Sequence, residues 1–151
     1  MKKKKILLTA AIVIAVVAIA GTIYAYKEYN RKGVDIADAK ATYSNTSSEL
    51  IEAFTSDEKS SNAKYLSKVV EITGEVKKID TDEKGFPTLI LGEANSMSSV
   101  RCSLDNLYTN SAANIIVGQK ISVKGICTGF IADEMGIGSD VILTHCIAQK
   151  K

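Results

Sequence analysis

The sequence predicts a mainly-β fold: a five-stranded Greek-key barrel with a preceding helix and an N-terminal transmembrane helix. Three observations predict it. A 21-residue uncharged run, Ile6 to Tyr26, follows a cluster of four lysines. Apolar residues then recur at helical spacing as far as Tyr65 and change to alternation after Lys68. Five strand-like stretches follow, with a segment between the third and fourth that suits a short helix or turn.

As a helix, Ile6 to Tyr26 reaches about 31 Å, matching a hydrocarbon core of about 30 Å. Only Thr9, Gly21 and Thr22 in the run are not hydrophobic. Tyr24 and Tyr26 suit the membrane–water interface at its far end. Lys2, Lys3, Lys4 and Lys5 form a basic leader (1–5) that outweighs the charge after the run. The positive-inside bias therefore keeps the N-terminus cytoplasmic and the C-terminal domain extracytoplasmic. The competing reading is a cleaved signal peptide, with Ala18-Ile19-Ala20 as the cleavage site and a secreted or periplasmic product. An anchor spanning 6–26 is favoured because the apolar run continues past Ala20. The first cysteine is Cys102, too late for lipidation near a cleavage site.

This uneven distribution reshapes the averages. The whole chain of 151 residues is 46% hydrophobic with a formal net charge of +2. Without the apolar run the hydrophobic share falls to about 39%, ordinary for a small soluble domain. Beyond Lys5 there are 15 basic and 17 acidic residues. These figures rule out a multidomain enzyme, a disordered chain and a disulfide-dense miniprotein, and they do not indicate a basic nucleic-acid-binding domain.

Residues 27–46 are polar and mixed in charge and read as a tether. Asn45-Thr46-Ser47 is formally a glycosylation sequon. The folded domain is expected at 47–148. Ser47 or Ser48 caps its first helix without a capping box, and Glu49 and Glu52 suit the first turn. Leu50, Phe54, Ser61 and Tyr65 form its apolar stripe, with a break near Thr55-Ser56-Asp57. Val70, Ile72 and Val76 mark the first long strand, with a bulge expected at Gly74. Thr88–Gly92 and Ser98–Leu104 are the next two strands. Leu107, Ala112 and Ile115/Ile116 are the apolar positions of the short helix. In Gln119–Thr128, Ile121, Val123 and Cys127 face the core and Lys120, Ser122 and Lys124 the solvent. A Gly-rich connection, 129–139, leads to the last strand, Val141–Ile147.

Five strands with a helix between the third and fourth is the plan of an OB-fold. The stretch Asn62-Ala63-Lys64-Tyr65-Leu66-Ser67-Lys68-Val69-Val70-Glu71-Ile72-Thr73-Gly74-Glu75-Val76 resembles the entry to the bacterial tRNA_anti-like family, named for likeness to tRNA-anticodon-binding domains. So do Ser99 to Cys102, Gly118 to Phe130 and Asp140 to Cys146. The resemblance covers about 49–147. It implies an OB-fold in a membrane-anchored or exported form, and no tRNA activity. Departures are the longer 131–138 connection and His145, where an acidic residue is common.

Three groups of residues suggest sites. Cys127 and Cys146, on the last two strands, are the candidate disulfide, with Cys102 left free; the alternative is three small buried side chains. Lys77, Lys78, Lys84, Phe86, Arg101 and Tyr108 form the candidate ligand face, although Phe86 closing a turn and Tyr108 packing the barrel bottom are the commoner roles. Asp80-Thr81-Asp82-Glu83-Lys84-Gly85 imitates a calcium loop but lacks the glutamate at its twelfth position. His145 and Cys146 point to opposite faces of a strand, so no metal centre or cofactor is expected. One histidine and no tryptophan leave no cast for catalysis. The expected role is non-catalytic binding of an envelope protein or polymer. Single-stranded nucleic acid and a purely structural adaptor domain are the alternatives.

Overall fold

The structure, a computed structural model, describes residues 19–23 and 36–149 apart from 84, 134 and 136. Residues 19–23 are helical, with the Thr22 hydroxyl donating to the Ile19 carbonyl at 2.9 Å. Among the described residues no helix is long and apolar enough to cross a membrane. Of the expected span at 6–26, residues 6–18 and 24–26 lie outside them, as do Lys2 to Lys5.

A second compact unit begins at Ile36. Its elements are β1 (Tyr43–Thr46), α1 (Ser47–Ser56), α2 (Glu58–Tyr65), β2 (Val69–Thr81), β3 (Pro87–Leu91), β4 (Ser99–Leu104), a 3-10 helix (Asn106–Ala112), β5 (Lys120–Ala132) and β6 (Ser139–Gln149). The strands pair in the order β2-β3-β4-β6-β5, and β2 also pairs with β5. That second pairing closes a five-stranded barrel, which leaves its members no long open edge. Val70, Ile72, Leu89, Leu91, Val100, Val123, Val141 and Leu143 fill the interior, all at 0% exposure. The alternation read from the sequence is therefore the inward face of the barrel.

The two helices break at Asp57, inside the expected window. Asp57 ends α1 with extended backbone angles and its carboxylate accepts from the Ser60 N–H at 3.0 Å, starting α2. All four stripe residues, Leu50, Phe54, Ser61 and Tyr65, are buried. Ser61 is tolerated there because its hydroxyl donates to the Ala53 carbonyl at 2.7 Å. Phe54 stacks on Phe130 with ring centroids 5.2 Å apart, tying α1 to β5.

Several expectations need correction. The N-cap is Thr46, and Thr46 and Glu49 form a capping box; moving the cap one residue later hides that pair. The end of the expected tether is also ordered. β1 runs parallel to β2, Tyr43 opposite Val70, beside the part of β2 that the short β3 does not reach. Ile36 is 1% exposed. Lys124, expected in solvent, is 8% exposed, and its Nζ donates to the carbonyls of Ala37 and Ala39, each at 2.9 Å. Ser122 is buried too, donating to Glu71 Oε1 at 2.7 Å.

The bulge is not at Gly74, which sits in regular register opposite Ile121. The register of β2 on β3 shifts instead between Val76 and Lys78, making Lys77 the extra residue. Gly74 is needed for space: a Cβ there would meet Ser47 Oγ at 2.7 Å. A second bulge sets His145 and Cys146 of β6 opposite the single residue Gly125 of β5. His145 takes up the extra residue with φ +50°, a left-handed conformation uncommon outside glycine. The Gly-rich connection is shorter than expected, because β5 continues to Ala132 and β6 begins at Ser139.

Candidate ligand face

The outward side chains of β3, β4 and β6 form one surface. Its rows follow from register: Ile90 lies beside Lys78 and Arg101, Arg101 beside Ile142, and Thr88 beside Asp80 and Ser103. A groove lies at each end. The first, about 360 Å³, is lined by Asp82, Phe86, Thr88, Ser103, Asp105 and His145, among others. The second, about 620 Å³, lies between Met97 and the β5–β6 hairpin.

Among the described residues, the lysines and arginine proposed for this surface are already engaged. Lys78 Nζ lies 2.5 Å from Asp80 Oδ1, and Arg101 Nε lies 2.8 Å from Asp140 Oδ2. Asp140 also accepts from the Ser99 hydroxyl at 2.5 Å. Lys77 folds into the β3–β4 loop, where its Nζ donates to the carbonyls of Ser96 at 2.5 Å and Ser98 at 3.2 Å. Its bulge position makes this possible, because the extra residue steps out of the alternation. Lys77 thus pins a loop and is not presented to a ligand.

Phe86 is half-buried; its N–H donates to Asp82 Oδ1 at 2.8 Å, so it closes the β2–β3 turn and also lines the first groove. Tyr108 is half-buried in the 3-10 helix and lines neither groove. Lys84 lies outside the described residues. The six sequence candidates therefore do not converge: Lys78 and Arg101 share the face, Phe86 lies at its edge, and Lys77 and Tyr108 leave it.

The first groove contains a pair that sequence reasoning treated as separate. His145 Nδ1 lies 2.8 Å from Asp105 Oδ2. Asp105 also caps the 3-10 helix through the Leu107 N–H at 3.0 Å. That N–H, and then His145, hold the Asp105 carboxyl below its ordinary range. The departure of His145 from the family pattern was the available signal; its partner depended on the β6 bulge. Among the described residues no three His, Cys, Asp or Glu side chains gather to hold a metal ion.

The strand register does not set Cys127 and Cys146 opposite each other. Cys127 lies opposite Leu143, and Cys146 pairs with Leu104 on β4. Burial, and then the neighbouring Cys102, push the Cys146 thiol well above its ordinary value. All three cysteines are free and buried. A Cβ on Gly125 would collide with Cys146 Sγ, so glycine at that position gives the thiol its space. Burial pushes the Cys127 thiol up to about 11.

The sequence matches the family described as tRNA_anti-like over residues 1–141. The chain belongs to the tRNA_anti-like family. Among solved structures, it is similar to a Klebsiella pneumoniae protein provisionally described as a nucleic acid-binding lipoprotein. That match has a TM-score of 0.55 and 14% identity, covering 79% of this chain and 99% of the other. At that identity the likeness is one of fold. A weaker match is the aspartyl tRNA synthetase of Entamoeba histolytica, with TM-score 0.44 and 13% identity, covering 79% of this chain and 23% of the enzyme. Another is the S. pombe Stn1-ten1 complex, with TM-score 0.37 and 17% identity, covering 55% and 59%. Among curated proteins none matches the sequence significantly.

Proposed function

We propose that this tRNA_anti-like chain is a non-catalytic binding module, tethered to a membrane by residues 6–26, that presents the outer face of β3, β4 and β6 to an envelope protein or polymer on the extracytoplasmic side. The observation that carries this reading is the internal charge balance of the face. Single-strand binding uses free cations along a groove and aromatic platforms. Here Lys78 and Arg101 are paired with Asp80 and Asp140, and Lys77 is held by loop carbonyls. The adjoining groove adds Asp82 and Asp105, with Phe86 and the His145 imidazole as its aromatic rings. Such a surface suits uncharged hydroxyl and amide groups better than phosphates. The apolar run behind Lys2 to Lys5 supports the location.

A second reading, oligonucleotide binding, is favoured by the description of the Klebsiella neighbour and by the usual use of this barrel face. Fluorescence anisotropy of a labelled oligo-dT with the full chain in nonionic detergent separates the two. No binding at low salt is expected. Tight binding that weakens steeply with salt overturns the first reading in favour of the second. Crosslinking in native membranes then identifies the partner, and absence of the chain from the membrane fraction sinks the tether.

A further inference from the structure

We propose that the groove at the β5–β6 hairpin docks a basic amphipathic helix of a partner protein. This goes beyond the reading above and does not depend on what the rest of the outer face binds. Four side chains give the groove its apolar character: Met97, Ile131, Met135 and Ile137, exposed by 71%, 61%, 81% and 52%. A folded domain scatters single apolar residues over its surface, but a contiguous group of this kind marks an interaction site. The chain has three methionines, and both of those after Met1 line this groove. Unbranched thioether side chains re-pack around differing partners and are over-used on adaptable docking surfaces.

The groove is a joint between two loops held together. The Ser139 N–H donates to Ser98 Oγ at 3.1 Å, and the Asp133 N–H donates to the Gly138 carbonyl at 3.0 Å. A Cβ on Gly138 would lie 2.6 Å from the Met97 carbonyl oxygen, so the loops touch at the groove floor. The two loops are therefore joined at the groove floor, which lowers the ordering cost of docking.

Charge selects the occupant. A neighbouring hollow shares Ala132, Asp133, Ile137, Gly138 and Ser139 with the groove and reaches Glu58 on α2. Among the described residues no lysine or arginine lines either space. Asp140 is engaged by Arg101, whereas Asp133 and Glu58 take part in none of the ion pairs among the described residues. An apolar trough with an acidic rim complements a helix that presents Leu-like side chains at i, i+3/i+4 and i+7, flanked by lysine or arginine. The same acidic rim disfavours an anionic bilayer surface.

The test uses the full chain in maltoside micelles, with 13C-methyl methionine as reporter. The probe is a 14-residue Leu/Lys amphipathic peptide, compared with a Leu/Glu peptide of the same apolar face. Partitioning of each peptide into micelles is common to all variants, so differences between variants report the groove. The Leu/Lys peptide is expected to shift the Met97 and Met135 methyl signals and to bind at least tenfold more tightly than the Leu/Glu peptide. Met135→Gln with Ile137→Gln is expected to weaken it at least tenfold, and Glu58→Gln with Asp133→Asn about fivefold at low salt. Equal affinity for both peptides, or binding indifferent to the Met135/Ile137 variant, overturns the proposal. Methyl shifts produced by phosphatidylglycerol in the micelles, with none produced by the peptide, assign the groove to lipid and also overturn it. The dispersed methyl spectrum of each variant verifies that it is folded.

Discussion

Replacing Lys124 with methionine removes an ammonium while keeping most of the side chain's apolar stem. In the native protein that ammonium donates to the Ala37 and Ala39 carbonyls, both at 2.9 Å, and the residue is 8% exposed. Hydrogen bonds from a charged donor contribute a net ~1.5–3 kcal/mol each. Burying the ammonium costs several kcal/mol, however, and methionine relieves that cost. The two effects largely offset in the barrel, so its overall stability changes by no more than about 1 kcal/mol. They do not offset for the segment 36–42, which loses its hold on β5. Both bonds are lost, but opening in the wild type rehydrates the ammonium and returns about half of their combined value, so opening of the variant is easier by roughly one charged bond, ~1.5–3 kcal/mol. At 1.4 kcal/mol per factor of ten, that is about a 10- to 100-fold rise in the open population. The reporter is the Thr42 amide, which donates to the Val69 carbonyl at 2.7 Å. Hydrogen exchange at Thr42 should accelerate by that factor while amides in the centre of β5 and β6 keep their protection. Unchanged exchange at Thr42 refutes the reasoning. So does equal loss of protection throughout the barrel, because strap and barrel then open as one unit.

The remaining predictions concern titratable groups. Because the Asp105 carboxyl is held below its ordinary range by the Leu107 N–H and by His145, its stabilising contribution is complete above the unfolded value of about 4. That contribution is lost as the pH falls through the depressed native value. Thermal melts of Asp105→Asn should therefore show a shallower loss of stability than wild type below about pH 4, and parallel acid limbs would contradict the assignment. Cys102, Cys127 and Cys146 are buried, with the Cys127 thiol at about 11 and Cys146 pushed well above its ordinary value by burial and by Cys102. Iodoacetamide at pH 8 should leave all three unmodified in the native protein and label all three after denaturation, counted by mass spectrometry. Rapid native labelling of Cys127 would refute its burial.

The amphipathic patterns were legible because they are local. Val70, Ile72 and Val76, or Ile121, Val123 and Cys127, announce a buried strand face by alternation alone, and all six are buried. Leu50 and Phe54 announce a helix face in the same way. The break before α2 was legible near Thr55-Ser56-Asp57, but the Asp57 cap that makes it was not. The candidate ligand face was legible only in outline. Arg101 and Lys78 were visible as surface cations, but Asp140 and Asp80, which neutralise them, were not visible as partners. Arg101 and Asp140 are 39 residues apart and meet because β4 and β6 run parallel in one register. A one-residue slip would turn either side chain to the other face of the sheet.

Composition and periodicity decided by themselves that the chain carries an apolar run behind a basic cluster and then an OB-fold of alternating strands, since burial of one strand face writes itself into every second residue. Only the tertiary structure decided where the exceptions fall. The bulges at Lys77 and His145 each add a residue that no pattern marks, and they redirect those side chains to the loop carbonyls and to Asp105. Lys124 reads as solvent-facing until 36–42 is laid over it. In each case the outcome rests on which strands become neighbours and in what register, a property of long-range packing that no local stretch of sequence contains.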